Sequence, residues 1–130
     1  MICKLGDGDF QTIYAIINDA AAAYKGKIPA DCYQQPYMTT EELEGEIASG
    51  VEFYGYKHSG QTVAVMGIQH VGDVTLIRHA YTLTSHHRRG IGAELLKHLL
   101  KLASTRRILV GTWETAHWAT RFYQTHGFKP

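Results

Sequence analysis

The sequence predicts an α/β domain with a mixed, mostly antiparallel β-sheet, and two observations predict it. Three strand-like segments between residues 51 and 83 are separated only by turns of two or three residues, which favours antiparallel pairing. The apolar period then changes to that of a helix at about 90–104, and a further apolar segment follows at 108–113. A strand that follows a crossover helix returns beside the strand before it, so this segment is expected to run parallel to the strand that ends at Leu83.

The first part of the chain predicts a strand and a helix. Residues 2–5 form a short apolar strand that ends at Gly6. A helix then runs to about Tyr24, with Asp7 or Asp9 as its N-terminal cap and a stripe of apolar residues on one face. That stripe consists of Phe10, Ile13, Ile16, Ile17 and Ala20.

The order of the remaining elements follows from turn signals and periodicity. Residues 27–38 contain two prolines and no clear apolar period, so they are expected to form an aromatic loop. Thr39 and Glu42 have the spacing of a capping box, which predicts a short helix that ends at Gly50. Further along, the sequence predicts strands at 51–58, 61–70 and 74–83, a helix at about 90–104, a buried strand at 108–113 and a helix at 116–126. The predicted order is therefore β-α-α-β-β-β-α-β-α.

The composition is that of an ordinary globular chain. Of its 130 residues, 45% are hydrophobic and 19% are charged, which excludes a disordered chain. Thirteen Lys and Arg nearly balance twelve Asp and Glu, so neither nucleic acid nor a membrane surface is expected as a partner. No apolar run reaches the length of a membrane span, and the N-terminus lacks a signal-peptide pattern. We expect a cytoplasmic protein with Cys3 and Cys32 as reduced thiols. The eight histidines lack the spacing of metal ligands, so no metal is expected.

The most specific stretch lies between the strand that ends at Leu83 and the helix that begins near Gly90, and it indicates an anion site. Gly90 and Gly92 let the backbone approach a ligand without a Cβ in the way. The first N–H groups of the helix have no intrahelical partners, and with the helix dipole they favour a phosphate or diphosphate. Arg88 and Arg89 add charged donors. The spacing excludes a Walker A loop and a dinucleotide GxGxxG loop, whereas a simple glycine turn stays open as an alternative.

Two motifs in this half of the chain have the right order and separation to be considered together. The first is His87-Arg88-Arg89-Gly90-Ile91-Gly92, and the second is the segment ATRFYQTHGF at 119–128. They resemble the Gln/Arg-x-x-Gly-x-Gly/Ala and A-x-x-F-Y-x-x-x-G-F motifs of the GNAT superfamily of acetyl-CoA-dependent N-acetyltransferases. His87 stands where the family usually has Gln or Arg. The resemblance covers about residues 2–128.

This resemblance implies the GNAT fold, with helices on both faces of the sheet and a splay between the fourth and fifth strands where acetyl-CoA (coenzyme A) binds. It implies a single N-acetyltransferase domain over residues 1–130, without the C-terminal strands of the family. The end of the strand 74–83 would pair with the pantetheine arm, and the glycine loop would hold the diphosphate. The implied cofactor-binding residues are Tyr81, Thr82, Leu83, His87, Arg88, Arg89, Gly90, Ile91, Gly92, Ala93, Ala119 and Phe122.

The implied reaction is acetyl transfer from acetyl-CoA to a primary amine of a small molecule or peptide, by direct attack in a ternary complex. Tyr123 matches the family's general acid, because a phenol stays protonated at neutral pH and can protonate a leaving thiolate. A backbone N–H near Thr82 is the implied donor to the developing oxyanion. Ala116 occupies the position of an Asn that the family often uses as a cofactor contact.

The general base stays open at this point. The Glu that some family members carry early in the fourth strand is replaced by Leu76. Glu114, His79 and Glu52 are the candidates, and a water chain that delivers the proton to bulk solvent is an equal alternative. A histidine suits the task because its pKa lies near neutrality.

The acceptor amine is expected to meet aromatic side chains. Tyr33 and Trp113, with Tyr24 and Tyr37, could form an aromatic wall, and an ordinary aromatic cluster on the core is the alternative. Two rival functions also remain: a non-catalytic acyl-CoA-binding or sensor module of the same fold, and a structural domain whose glycine turn is only a turn. Because related domains continue beyond the position of Pro130, we expect either further residues or a partner chain, such as a second copy in a homodimer, along the last strand.

Overall fold

The computed structural model describes residues 1–24, 37–86, 90–110, 122–124 and 126–128. Its helices and strands follow the predicted order, and the last predicted helix is described only at its final residues. The elements are β1 (Ile2–Lys4), α1 (Phe10–Ala20), α2 (Thr40–Ala48), β2 (Glu52–His58), β3 (Gln61–Val71), β4 (Val74–Thr82), α3 (Ile91–Leu102) and β5 (Arg107–Val110). Short 3-10 helices flank α1 and follow β4, at Asp7–Asp9, Ala21–Tyr24 and Thr84–His86.

The five strands form one mixed sheet in the order β1-β2-β3-β4-β5. β1 to β4 pair antiparallel with their neighbours in chain order. β5 pairs parallel with β4, and the register places Val74 opposite Arg107 and Ile77 opposite Val110. The mixed, mostly antiparallel sheet and the parallel return after α3 are therefore confirmed.

Helices cover both faces of the sheet, as the resemblance implied. α1 and α2 share one apolar cluster with Phe53 of β2 and Val65 of β3. α3 shares the other cluster with Ile68 of β3 and Ile77 of β4, and we call it the α3 cluster. Because β3 lies mid-sheet and both its faces are covered, residues 62–69 are all buried. The buried helix residues match the predicted stripes and are Ile13, Ile16, Ile17 and Ala20 in α1 and Ile91, Leu95, Leu96 and Leu99 in α3.

The two N-terminal helices differ in how they begin. For α2 the predicted capping box is confirmed, because the Thr39 hydroxyl accepts from the Glu42 N–H at 3.1 Å and the Glu42 carboxylate accepts from the Thr39 N–H at 3.3 Å. For α1 the predicted position of the cap is confirmed, because Asp9 is the N-cap residue, but its side chain makes no capping hydrogen bond. The Asp9 carboxylate instead turns back to accept from the Gly6 N–H at 2.9 Å. Asp7 lies in the 3-10 helix that precedes α1.

β5 is more exposed than its sequence suggested, so the expectation of a buried strand was wrong for its described part. Arg107 is exposed, and Leu109 is 43% exposed. Ile108 and Val110 are half-buried and pack against the α3 cluster. β5 is the last strand of the described sheet, so alternate side chains lie on a face that no described helix covers. An apolar run indicates burial but does not tell whether one face or both are covered.

The close packing at the middle of the sheet gives a stability prediction. A Cβ built on Gly67 would lie 2.9 Å from Val51 Cγ1 and 3.0 Å from the backbone oxygen of Arg78, so Gly67→Ala forces main chain and core apart. We expect this change to lower the free energy of unfolding by about 1–3 kcal/mol in urea denaturation. Gly45→Ala is the control, since that helical position has no atom within 4 Å, and it should raise stability by about 1 kcal/mol. Equal effects of the two changes would contradict this account of the packing.

Candidate active site

The first turn of α3 offers backbone donors beside open space. Gly90 is the N-cap residue and adopts the left-handed conformation with φ +75°, which a glycine enters without the steric cost that a Cβ imposes. Its carbonyl accepts from the Glu94 N–H at 3.2 Å, the first hydrogen bond of the helix. A Cβ at Gly90 would meet nothing within 4 Å. Glycine is therefore favoured here by the backbone conformation, and the space next to it is free of described protein atoms.

The N–H groups of Ile91, Gly92 and Ala93 belong to this first turn, where a helix provides no intrahelical acceptors. The buried Ile91 side chain fixes the turn on the sheet, and a Cβ at Gly92 would lie 3.5 Å from the ring of Phe122. Three aligned donors at the positive end of a helix dipole suit an anionic group such as a diphosphate. The residues present therefore fit the diphosphate that the sequence resemblance implied.

The connection from β4 to α3 is tied to α1. The Asp19 carboxylate of α1 accepts from the Thr84 N–H at 2.9 Å and from the Thr84 hydroxyl at 3.4 Å. The Leu83 N–H donates to the Val63 carbonyl at 2.8 Å, so the strand end stays paired up to the connection. The predicted donors His87, Arg88 and Arg89 lie outside the described residues. Sequence reasoning missed Asp19, whose partner is 65 residues away.

β4 is interrupted by a β-bulge that the sequence reasoning missed. Val65 of β3 is opposite Tyr81 and Gly67 is opposite Arg78, so Met66 faces two residues of β4 instead of one. His79 is one of those two and has φ +54°, a left-handed conformation that is uncommon outside glycine. The only available sequence signal was the pair of adjacent polar residues, Arg78 and His79, inside a strand of otherwise regular character.

The bulge brings two consecutive side chains to one carboxylate. In a regular strand neighbouring side chains point to opposite faces. Here Arg78 Nη2 lies 3.1 Å and His79 Nε2 lies 2.9 Å from the same Glu46 Oε1 of α2. Arg78 Nη1 also donates to the Gln69 side-chain oxygen at 3.1 Å, and the Gln69 amide donates to the Ser49 carbonyl at 2.9 Å. We call Glu46, Gln69, Arg78 and His79 the bulge cluster.

His79 is the member of the bulge cluster whose titration is shifted. Its side chain is 14% exposed, and its ring lies 6.0 Å from that of Phe53. Burial lowers the pKa of His79 below its usual value, although the nearby Glu46 carboxylate acts to raise it. The imidazole is therefore neutral at neutral pH, the form that can take up a proton.

Tyr123 is held by the end of its helical turn. Residues 122–124 are helical, and the Phe128 N–H donates to the Tyr123 carbonyl at 3.1 Å while the Gly127 N–H donates to the Gln124 carbonyl at 3.0 Å. With Gly127 at φ +93°, this is a Schellman motif, and the ring of Phe128 lies 5.8 Å from that of Tyr123. Tyr123 is buried in the α3 cluster. The predicted end of the last helix at Gly127 agrees with this arrangement.

The structure brings some of the predicted site residues together and leaves others outside its described part. Tyr81 and Thr82 end β4, Leu83 follows in the connection to α3, and Gly92 lies next to Phe122. Glu52 does not join them, since it forms an ion pair with Lys4 of the neighbouring strand β1. Besides His87, Arg88 and Arg89, the predicted residues outside the described part are Tyr33, Trp113, Glu114, Ala116 and Ala119.

This site and fold correspond to a known family. The family model of the acetyltransferase (GNAT) domain matches residues 18–130, so the chain belongs to the GNAT acetyltransferases. The resemblance drawn from the two sequence motifs is confirmed, and with it acetyl-CoA as the family's acyl donor. No curated protein matches the chain in sequence. Among the described residues, no helix has both the length and the apolar character that a bilayer crossing requires.

Several solved structures share the fold at low sequence identity. The PaiA N-acetyltransferase of Thermoplasma acidophilum, solved with coenzyme A, is 18% identical, and the match covers 99% of this chain and 89% of that one with a TM-score of 0.83. The ribosomal-protein-S18-alanine N-acetyltransferase of Escherichia coli is 19% identical over 99% and 77% of the two chains, with a TM-score of 0.80. A predicted acetyltransferase of Clostridium acetobutylicum, solved with acetyl-CoA, is 16% identical over 100% and 90%, with a TM-score of 0.74.

The left-handed glycine before α3 gives a binding prediction with a matched control. Gly90 (φ +75°) and Gly60 of the β2–β3 turn (φ +79°) share a conformation, and a Cβ at either meets nothing within 4 Å. Gly90→Ala and Gly60→Ala should therefore each lower the free energy of unfolding by a similar amount, roughly 1–2 kcal/mol. Only Gly90→Ala places a methyl group beside the donors of α3, and we expect it to weaken coenzyme A binding about tenfold or more in calorimetry. Unchanged coenzyme A affinity in Gly90→Ala would contradict the assignment of this turn.

Proposed function

We propose that the protein is an N-acetyltransferase that transfers the acetyl group of acetyl-CoA to a primary amine of a small molecule or peptide, by direct attack in a ternary complex. The observation that carries the proposal is the left-handed Gly90 at the start of α3, where a Cβ would meet no described atom within 4 Å, followed by the three backbone donors of the first turn. Membership of the GNAT family supports it. We further propose that residues 1–130 act as one acetyltransferase domain in the cytoplasm.

The cofactor would be held at two places on the chain. The N–H groups of Ile91, Gly92 and Ala93 would hold the diphosphate, and the backbone at Tyr81 to Leu83 would pair with the pantetheine arm as an added strand. When bound, acetyl-CoA supplies an activated acyl carbon, so that the C–S bond breaks as the C–N bond to the amine forms. A backbone N–H near Thr82 would donate to the carbonyl oxygen as negative charge develops on it.

His79 is the general base in this proposal. An ammonium has no lone pair, so the attacking nitrogen must give up a proton before or during attack. The neutral His79 ring can accept that proton at neutral pH, because burial lowers its pKa. The side chain lies at the bulge, two residues from Tyr81, where the strand would meet the pantetheine arm. Glu114 remains a second candidate, and it lies outside the described residues.

Tyr123 is the general acid in this proposal. Its hydroxyl would give a proton to the sulfur that leaves, which keeps the thiolate from reversing the reaction. The Schellman motif at Gly127 and the packing of Phe128 hold the tyrosine in place. Tyr123 belongs to the α3 cluster, whereas His79 lies on the α1 and α2 face. A group threaded between β4 and β5 would therefore have the base on one side and the acid on the other.

For the acceptor amine we propose a chemical class and no particular compound. Tyr33 and Trp113 are proposed to contact it, with a small molecule or a peptide as the acceptor and neither nucleic acid nor a membrane as a partner. The E. coli relative acts on an alanine of ribosomal protein S18 by its name, and at 19% identity that acceptor does not transfer to this chain.

The test combines binding with turnover. Calorimetry with acetyl-CoA should show saturable binding, and a panel of amines, amino acids and peptides should give thiol release that depends on the acceptor. Binding without thiol release from any acceptor would favour a non-catalytic acyl-CoA-binding module. The absence of binding at millimolar acetyl-CoA would overturn both functions and leave the glycine turn as architecture.

Removal of one hydroxyl tests the proposed acid. Tyr123→Phe keeps the ring in the α3 cluster but leaves no proton donor, so kcat should fall by about 100-fold or more with little change in the KM for acetyl-CoA. Tyr54→Phe is the control, because Tyr54 packs partly buried against the same cluster from β2. Its kcat should match that of the wild type. A Tyr123→Phe enzyme with full kcat would remove the hydroxyl from the mechanism.

A further inference from the structure

Glu46 makes contacts that point to a role beyond packing. This α2 carboxylate receives both Arg78 and His79 of the bulge at one oxygen, Oε1. Glu46 is separated by 33 residues from His79, and the pair meets only because α2 lies over the bulge. An ionised carboxylate can only accept hydrogen bonds, so at the His79 contact Nε2 must carry the hydrogen.

The other ring nitrogen of His79 is accessible. Nδ1 has no hydrogen-bond partner among the described residues, and no fully buried side-chain nitrogen or oxygen there lacks a partner. Nδ1 is therefore not fully buried. With Nε2 protonated, the lone pair of the neutral ring is on Nδ1, the nitrogen that an incoming group can reach.

The backbone at His79 supports a functional reason for this arrangement. A φ of +54° costs a residue with a Cβ about 1–2 kcal/mol, and such strain persists only where the surroundings impose it. Here the strain turns the His79 side chain towards the same face as its neighbour Arg78, which places both on Glu46.

We propose that Glu46 is a positioning residue for acetyl transfer: it accepts the Nε2–H of His79 and so fixes the tautomer whose Nδ1 takes the proton from the amine. This inference rests on the proposed function, in which His79 is the base. The proton passes from the amine nitrogen to Nδ1, and Glu46 stabilises the imidazolium that results.

Two charged side chains, on different elements, act on His79. Glu46 on α2 raises its pKa and Arg78 on β4 lowers it, while β2 contributes the uncharged ring of Phe53. Burial outweighs the carboxylate, so the pKa of His79 lies below 6.5. Activity that needs the neutral ring should rise with pH through this pKa and be constant above it. Loss of the Glu46 charge should lower the pKa of His79 further, so the rise of activity with pH should shift to lower pH.

The first experiment examines the tautomer and requires no acetyl transfer. Protein labelled with ¹⁵N-histidine gives the protonation state of each ring nitrogen by NMR, and His79→Asn assigns the signal, since Asn tolerates the left-handed backbone. The wild type should show Nε2–H and a free Nδ1 at pH 7. In Glu46→Gln the pKa should fall and the Nδ1–H form should appear, because the Gln amide can also donate to Nε2. Glu44→Gln removes an equal charge from an exposed position of α2 and should leave the His79 signals unchanged.

The second experiment follows turnover against pH. Glu46→Gln should lower kcat by about 10- to 100-fold, part of what a general base contributes, and shift the acidic limb to lower pH. Glu44→Gln should change neither. In the His79→Asn background, Glu46→Gln should have less than a twofold effect, because the ring that it positions is gone.

The outcomes separate this inference from the proposed function. If wild-type His79 carries its hydrogen on Nδ1, or if Glu46→Gln and Glu44→Gln give the same His79 signals, the positioning role of Glu46 is overturned. It is overturned equally if Glu46→Gln slows the enzyme as much without His79 as with it. If no amine in the panel leads to thiol release, the proposed function is refuted. The NMR experiment would still decide whether Glu46 fixes the tautomer of His79.

Discussion

The extra residue in β4 is the constraint on which the arrangement of the site depends. On the N-terminal side of the bulge, residues Val74 to Ile77 of β4 pair parallel with the described residues of β5. At His79 the backbone enters the left-handed region, and the alternation of side chains between the two faces is reset. Arg78 and His79 therefore reach the same α2 carboxylate, and the strand continues beside β3 to the connection with α3.

The bulge cluster contributes orientation more than stability. The ion pair between Arg78 and Glu46 is partly exposed, and such pairs are worth about 1 kcal/mol or less. Its members also satisfy one another's hydrogen bonds, and Gln69 links the cluster to the end of α2 through the Ser49 carbonyl. Because each contact restricts a rotamer of the next, a His79 ring in a strained part of the backbone is held in one position.

Two glycines in left-handed conformations set the start of α3 and the end of the helical turn that contains Tyr123. Gly90 begins α3, whose first N–H groups have no intrahelical acceptors, and a Cβ on Gly90 would meet no described atom within 4 Å. Gly127 ends the turn that contains Tyr123 and brings Phe128 against its ring. Both positions are local features, since a positive φ and the adjoining hydrogen bonds involve residues at most five apart.

The sequence by itself determined the features that depend on neighbours along the chain. The Thr39 and Glu42 capping box, the apolar stripes of α1 and α3 and the glycine before α3 could all be predicted, because each arises from interactions within a few residues. The two motifs also identified the family. Tertiary structure alone decided that β5 is covered on one face and that Glu46 meets His79. These outcomes depend on which element packs where, and a contact across 33 residues leaves no periodicity or spacing in the sequence from which it could be inferred.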